Sequence, residues 1–490
     1  MSGACLRPPE IESTNLSKAT NYDAVVIGAG PNGLAAAIRF AQEGHSVLVV
    51  EAKDTPGGGC RSAELTLPGF THDICSAIHP LGYGSPFFRT LPLEKYGLEW
   101  IQPRAALAHP FDDGPPALLY QSVEETAATL GADAENYKRL MGPLVPDWEE
   151  TSKALRQPWR LARYPFGLAR FGLKAMLSSR ALTEAAFQGG RARGFFSGMA
   201  AHSMLPLEQS PSAAFGMALG ITGHAVGWPF PRGGSQKITD ALVAHLESLG
   251  GEVVTGQEVK SLDDLPPSRV VLGDITPRQL VQIAGDRLPA GYRSRLGRYR
   301  YGMGAFKLDW ALDGPIPWKS PEVALAGTVH LGGTRAELSR SERASARGEV
   351  ADAPYILLAQ QSLFDPTRAP DGKHTVWGYC HVPNGCTVDM TTRIEAQIER
   401  FAPGFRERIL AKHVIGPQAM ERYNANYIGG DINGGIQDWP QLFTRPVARW
   451  TPWSTPVPGL YLCSSATPPG GGVHGMGGYY AAMAALTHFG

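Results

Sequence analysis

Asp23-Ala-Val-Val-Ile27 is a short apolar run that ends in glycines, the pattern of a strand buried on both faces of a parallel sheet. Leu34, Ala37, Ile38 and Ala41 then fall at helical spacing, and Gly44 closes that helix. Ser46-Val-Leu-Val-Val50 repeats the buried-strand pattern. A strand, a helix and a second buried strand predict a βαβ unit and a parallel sheet. From Ser122 to Gly220 the pattern turns helical, rich in Ala, Leu, Arg and aromatics, with breaks at Pro143, Pro146, Pro158 and Pro165. That stretch reads as a separate helical layer. Gly233-Gly234 opens a helix with Ile238, Ala241, Leu242, His245, Leu246 and Leu249 on one face, ending at Gly250-Gly251. Strands follow at 252–256 and 270–272. Residues 306–312 alternate apolar and polar, which predicts a strand with one exposed face; 355–359 and 375–380 look similar. The charged stretch 335–353 reads as a surface loop or short helix, and 391–401 as a helix. The chain closes with a strand at 459–464, a glycine loop, and a helix from about Gly475. No internal repeat interrupts this order.

Composition narrows the class. A chain of 490 residues exceeds the roughly 250–300 at which single cores stop growing, so more than one domain is expected. It is 43% hydrophobic with 45 basic and 45 acidic residues, which excludes a disordered chain and a binder held to nucleic acid by a general basic surface. Its 58 glycines show no collagen period. Cys5, Cys60, Cys75, Cys380, Cys386 and Cys463 form no CxxC and no zinc spacing, which favours a reducing compartment over a disulfide framework. Residues 1–21 are polar, carry Pro8-Pro9 and lack a secretory apolar core, so they read as a disordered tail. No run approaches the roughly 20 apolar residues of a spanning helix. The expectation is a cytoplasmic protein, touching a membrane at most peripherally.

Gly28-Ala-Gly30-Pro31-Asn32-Gly33 fits GxGxxG between the first strand and its helix, and Glu51 closes the next strand. The first glycine permits the tight turn, the second lets a pyrophosphate reach the backbone, and the third lets helix pack on strand. The helix N-terminus offers N–H donors and partial positive charge. Glu51 would accept hydrogen bonds from a ribose hydroxyl and would repel a 2′-phosphate, disfavouring NADP. FAD is preferred to NAD for three reasons. No second GxGxxG is present, no redox cysteine pair follows the fingerprint, and a further glycine motif, Pro56-Gly57-Gly58-Gly59-Cys60-Arg61-Ser62, comes directly after Glu51 and Ala52.

The span 25–62, the segment Pro231-Arg-Gly-Gly-Ser-Gln-Lys-Ile238 and the tail 459–474 resemble the phytoene desaturase-like flavoproteins. Within that superfamily, which includes carotenoid desaturases and flavin amine oxidases, the chain is most similar to the pyridine nucleotide-disulfide oxidoreductase domain-containing subgroup. The resemblance implies an α/β fold: a Rossmann-like FAD-binding domain of the glutathione reductase type with a discontinuous α+β substrate domain. It places the FAD domain at 22–105, 225–290 and 425–490. The substrate domain, a helical layer plus an antiparallel sheet, takes 106–224 and 291–424. It implies non-covalent FAD, with Gly57, Gly58, Gly59 and Arg61 along the diphosphate and flavin and backbone at Val259 against the adenine. The β-meander usual in such proteins is shortened to 261–268. Many relatives carry Gly-Asp where this chain has Ser464-Ser465, so the ribityl contact would be made by an uncharged Ser465. Gly471, Gly472 and Val473 would bring backbone to the isoalloxazine, the next helix N-terminus would stabilise the reduced flavin, and His474 is either a flavin neighbour or a loop histidine.

Oxidation of a C–H bond needs the carbon held against the flavin and a sink for any proton released. His79 follows the FAD glycine motif and is either catalytic or a packed histidine. Lys307 resembles by local pattern the lysine that flavin amine oxidases hold near the flavin; its alternative is a solvent-facing strand lysine. His381 and Asn384 end a strand and either line a cavity or pack. The loop 429–435 needs special backbone angles at several glycines. Residues 156–180 interleave Arg and Lys with aromatics, a pattern of a membrane-contacting helix or of a helix packed with its arginines outward. The leading expectation is an FAD-dependent oxidoreductase, phytoene desaturase-like, that moves hydride from an apolar isoprenoid-, carotenoid- or lipid-like substrate to FAD and on to O2 or a quinone. The alternatives are a flavin amine oxidase using O2 and a non-enzymatic prenyl-binding escort protein of the same fold. No metal and no nucleic-acid partner are expected.

Overall fold

The computed structural model describes residues 20–148 and 171–489. Most of the predicted tail and residues 156–170 of the basic segment lie outside the described residues. Strand β1 (Tyr22–Ile27), the helix Pro31–Ala41 and strand β2 (Val47–Val50) form as the apolar pattern dictates. The helix begins with Pro at its first position, where the missing N–H costs nothing. Its apolar residues Leu34, Ala37, Ile38 and Ala41 pack with Tyr480, Ala481 and Ala485 of the helix Met476–Leu486 in one core over the sheet.

Two further strands, β3 (Ser62–Glu64) and β4 (Thr71–Asp73), make a ribbon just after the second glycine motif. Strand β5 (Trp100–Ile101) pairs with β8 (Phe230–Pro231). Strands β9 (Glu252–Val254), β10 (Ser268–Gly273) and β16 (Leu460–Leu462) join β1 and β2 in a five-stranded, all-parallel sheet of order β16-β10-β1-β2-β9. Chain order reverses between β1 and β10. In open parallel sheets the ligand crevice lies at that switch point, beyond the carboxyl ends of the strands.

A second, mixed sheet has seven strands in the order β15-β11-β14-β13-β12-β6-β7. Its members are β6 (Ala105–His109), β7 (Ala117–Leu119), β11 (Gly304–Leu312), β12 (Ala326–Leu331), β13 (Ile356–Ala359), β14 (His374–Val382) and β15 (Ile409–Ile415). One face packs on an apolar core that includes Phe306, Leu308, Trp310, Ile356, Leu358 and Val376. The helices Gly190–Ala200 and Ser212–Ala225 cover the other face.

Two expectations change here. Residues 306–312 were expected to have an exposed face, but all nine residues of β11 are buried, because the strand lies inside the sheet between β14 and β15. Its polar positions are tolerated because Lys307 and Asp309 pair with each other. The stretch expected as a surface loop or short helix forms a twelve-residue helix, Arg335–Ala346, started by a Thr334/Glu337 capping box and burying Leu338, Glu342 and Ser345. Among the described residues, no helix is long and apolar enough to cross a membrane.

Candidate active site

At the β1/β10 switch point the fingerprint turn closes tightly. Gly28 has φ +97°, and a methyl group on Gly33 would sit 2.0 Å from the Gly28 carbonyl oxygen, so only glycine lets the helix start there. A methyl on Gly30 would come 2.5 Å from Oδ2 of Asp274. Gly57 N–H donates to the Ala29 carbonyl at 2.9 Å, which locks the second glycine loop against the first. Glu51 is 7% exposed; its carboxylate accepts from Ala29 N–H at 2.8 Å, Lys53 N–H at 3.0 Å and the Arg61 guanidinium at 3.0 Å. Arg61 also packs its guanidinium over the Tyr423 ring.

These loops line one cavity of about 420 Å³. One end is walled by Gly28, Gly30, Pro31, Asn32, Glu51, Ala52, Gly58, Gly59, Arg61 and Val259, and the middle by His79, Ser464, Ser465, Gly472 and Val473. The other end is walled by His202, Leu219, Trp228, Thr328, Leu357, Trp377, Tyr379 and Ile432. Gly33, Gly57, Gly471, His474, Lys307 and His381 do not line it. Gly33 instead donates its N–H to Asp274, and His474 is buried with Nδ1 accepting from Met476 N–H.

The catalytic candidates separate in space. His79 borders the cavity, but its Nε2 shares a 2.8 Å hydrogen bond with Ser235 Oγ and its Nδ1 lies 3.5 Å from Ser76 Oγ. Burial pulls its pKa down to about 4, against the opposing effect of Asp73, so the ring is neutral at physiological pH. Asp73 anchors this arrangement: it accepts from Ser62, from Ser235 N–H, from Gln361 and from Arg368. Lys307 is 1% exposed, paired with Asp309 and set 5.8 Å from the Trp377 ring centre; its solvent-facing alternative is therefore corrected. His381 is fully buried, with Nδ1 2.7 Å from Glu342. Asn384 donates to the Gly302 and Ile428 carbonyls and holds the 429–435 loop, a packing role.

Two residues at the cavity were not singled out from the sequence. Asp274 follows β10 at the switch point; burial raises its carboxyl pKa to about 7, opposed by the Gly33 N–H and aided by the charge of Glu51. The signal for it was the strand at 270–272, whose carboxyl end must adjoin the crevice. His202 follows the helix Gly190–Ala200 and reaches the apolar end. Nothing local in the sequence marks it, since its neighbours come from β12 and the loop before β8.

The residues present suit a dinucleotide. Backbone N–H groups of a helix start, glycines where a methyl would clash, and an acidic side chain at the end of β2 face one elongated cavity. The orphaned buried atoms Asn32 Oδ1 and Asn433 Nδ2 belong to residues in its wall.

Comparison with known proteins agrees. The family model described as an NAD(P)-binding Rossmann-like domain matches residues 26–91. Pyridine nucleotide-disulfide oxidoreductase domain-containing protein 2 of Rattus norvegicus is 26% identical, covering 94% of this chain and 92% of that one. The neurosporene-forming phytoene desaturase of Rhodobacter capsulatus is 26% identical, covering 92% and 91%. Among solved structures, an oxidoreductase from Methanosarcina mazei superposes with a TM-score of 0.66 at 17% identity over 96% of this chain and all of that one. Putrescine oxidase bound to putrescine superposes with a TM-score of 0.61 at 16% identity over 96% and 99%.

Fold and site together define an FAD-dependent oxidoreductase built on a Rossmann-like dinucleotide domain. The chain is similar to the phytoene desaturase-like flavoproteins, with pyridine nucleotide-disulfide oxidoreductase domain-containing proteins among its relatives.

Proposed function

We propose that the protein oxidises a C–H bond of an apolar, isoprenoid- or lipid-like substrate. The observation that carries this reading is the composition of the cavity wall. Its charged residues, Glu51, Lys53, Arg61, Glu258 and Asp274, all belong to the dinucleotide end or its loops. The far end is lined by Leu219, Trp228, Leu357, Trp377, Tyr379 and Ile432, with no carboxylate among the described lining residues. An apolar chain gains there by leaving water. An ammonium would enter without a counter-charge, and Lys307, the residue that raised the amine oxidase alternative, is engaged with Asp309 away from the wall.

FAD, when bound, supplies the two-electron acceptor for hydride. Glu51, the 28–33 turn, Gly58, Gly59 and Arg61 hold its dinucleotide part, and Ser464, Ser465, Gly472 and Val473 approach its reactive part. Trp228, Leu357, Trp377 and Tyr379 orient the apolar substrate and exclude water. The division of the chain into an FAD domain (22–105, 225–290 and 425–490) and a substrate domain (106–224 and 291–424) belongs to the same reading. So do O2 or a quinone as final acceptor, a cytoplasmic location and a peripheral membrane contact. The test is anaerobic mixing of the yellow holoprotein with apolar isoprenoids, acyl lipids and amines. Loss of flavin colour with an apolar donor supports the reading, and bleaching confined to amines, with H2O2 release in air, overturns it.

A further inference from the structure

The face of the seven-stranded sheet that looks toward the cavity carries more polar groups than an apolar site needs. Register sets them in rows: Lys307, Tyr379, Leu357 and His330 lie side by side across β11, β14, β13 and β12. Behind the cavity wall this face gathers His330, His381 and, from β6, His109, while His202 comes down from the covering layer. His202 Nε2 and His330 Nε2 share a hydrogen bond at 2.8 Å. His202 lines the cavity and its ring meets the Trp228 ring edge-on; His330 is fully buried behind it. Among the described residues of the wall outside the dinucleotide loops, the other ionisable side chains are Cys75, His79, Tyr379, Tyr423 and Tyr427; of these only His79 is an imidazole, and its Nε2 is already bonded to Ser235. A buried imidazole pair costs desolvation that an apolar pair would not, so packing gives no reason for it.

We propose that His202 accepts the proton that leaves the substrate during oxidation and that His330 draws this proton away from the cavity. The proposal rests on the reading of the protein as a C–H dehydrogenase. Forming a C=C bond removes two hydrogens. One C–H bond breaks with its electron pair leaving as hydride to FAD, which is reduced while the substrate is oxidised. The other breaks with its pair becoming the new π bond, and its proton forms an N–H bond at Nδ1 of His202. The proton on Nε2 of His202 then passes along the existing hydrogen bond to Nε2 of His330. His202 is the catalytic residue, since it borders the substrate space; His330 is a positioning residue that acts through it.

The titratable groups facing this pair are His109, His381 and Tyr355, with Tyr379 and Glu342 one step further out, against His381. Burial lowers the pKa of His202 to about 3, with His381 adding to the effect, and holds His330 well below the usual imidazole value. Both rings are therefore neutral at physiological pH, and a proton taken up by either is held weakly. The Glu342 carboxyl, 2.7 Å from His381, and Glu337, which acts on His109, are the acidic groups that offset positive charge in this cluster.

The test uses holoprotein labelled with 15N-histidine. Long-range 15N–1H NMR between pH 5 and 9 should show a ring proton shared between two imidazoles, unchanged with pH and lost in both H202Q and H330Q. Its absence from the wild type overturns the proposal. Stopped-flow reduction by an apolar donor then gives the kinetic arm. H202A should slow flavin reduction about 100-fold, the usual worth of a general base, and added imidazole should restore part of the rate. H330Q, which keeps a hydrogen-bonding side chain but cannot carry a proton, should slow reduction with donor affinity within about twofold. Rates within about twofold of wild type in both variants, or an H202A defect that imidazole fails to relieve, overturn it. If no apolar donor bleaches the wild type, the functional reading fails, while the NMR result still supports or overturns the histidine pair by itself.

Discussion

Replacing Asp274 by Asn should remove the loss of stability that this one carboxyl contributes between pH 5 and pH 8. In the fold, burial raises this carboxyl from 3.8 to about 7, while Gly33 N–H donates to Oδ2 at 3.0 Å. The sign follows from proton counting. Between about pH 4 and pH 7 the folded protein holds a proton on Asp274 that the unfolded chain has released, so the contribution of this group to stability falls as pH rises. Below this window both states are protonated, and above it both are ionised. Each unit is worth about 1.4 kcal/mol, so a shift of roughly 3 units amounts to about 4 kcal/mol over the whole window. The part between pH 5 and 8 is about 3 kcal/mol. Asn keeps an acceptor for Gly33 N–H but cannot ionise. Urea unfolding of wild type and D274N at both pH values should give a pH-dependent difference of that size, with the variant the more stable at pH 8. Ionised Asp274 also brings negative charge beside Gly30, where the diphosphate must approach, so the FAD dissociation constant should rise above about pH 7 in wild type alone. Parallel stability curves for the two proteins would refute the reasoning.

Gly33→Ala should lose FAD on purification, because its methyl would meet the Gly28 carbonyl at 2.0 Å and backbone cannot yield cheaply; the flavin-to-protein absorbance ratio reads this directly. Lys307→Met should lower unfolding stability by about 3–5 kcal/mol, since it strands Asp309 in the interior, and thermal or urea unfolding measures it. Leu357→Trp should fill the apolar end of the cavity, raising the apparent dissociation constant for apolar donors while the flavin content stays at the wild-type level.

The dinucleotide end was legible because its signal is local. A strand, a turn that admits only glycine, a helix and an acidic residue ending the next strand all lie within 22–51, and the fold sets them together with little help from the rest of the chain. The substrate end was not legible in this way. Its wall comes from the segments around 202, 219–228, 328, 357, 377–379 and 432, which only the register of β12, β13 and β14 brings side by side. Lys307 shows the same limit. Alternation along β11 correctly indicated a strand, but whether its polar face meets solvent or a partner depends on Asp309 and on the two strands that flank it. Asp274 was half visible: its strand was read, but its position next to β1 is a property of sheet order.

The most direct test of the account is a single anaerobic turnover of the holoprotein with a saturated or partly saturated isoprenoid donor, followed by mass analysis of the donor. One donor molecule lighter by two hydrogens, with a new C=C bond, is expected for each flavin bleached. Bleaching that leaves every apolar donor unchanged and converts only amines, or a purified protein without flavin absorbance, would contradict it.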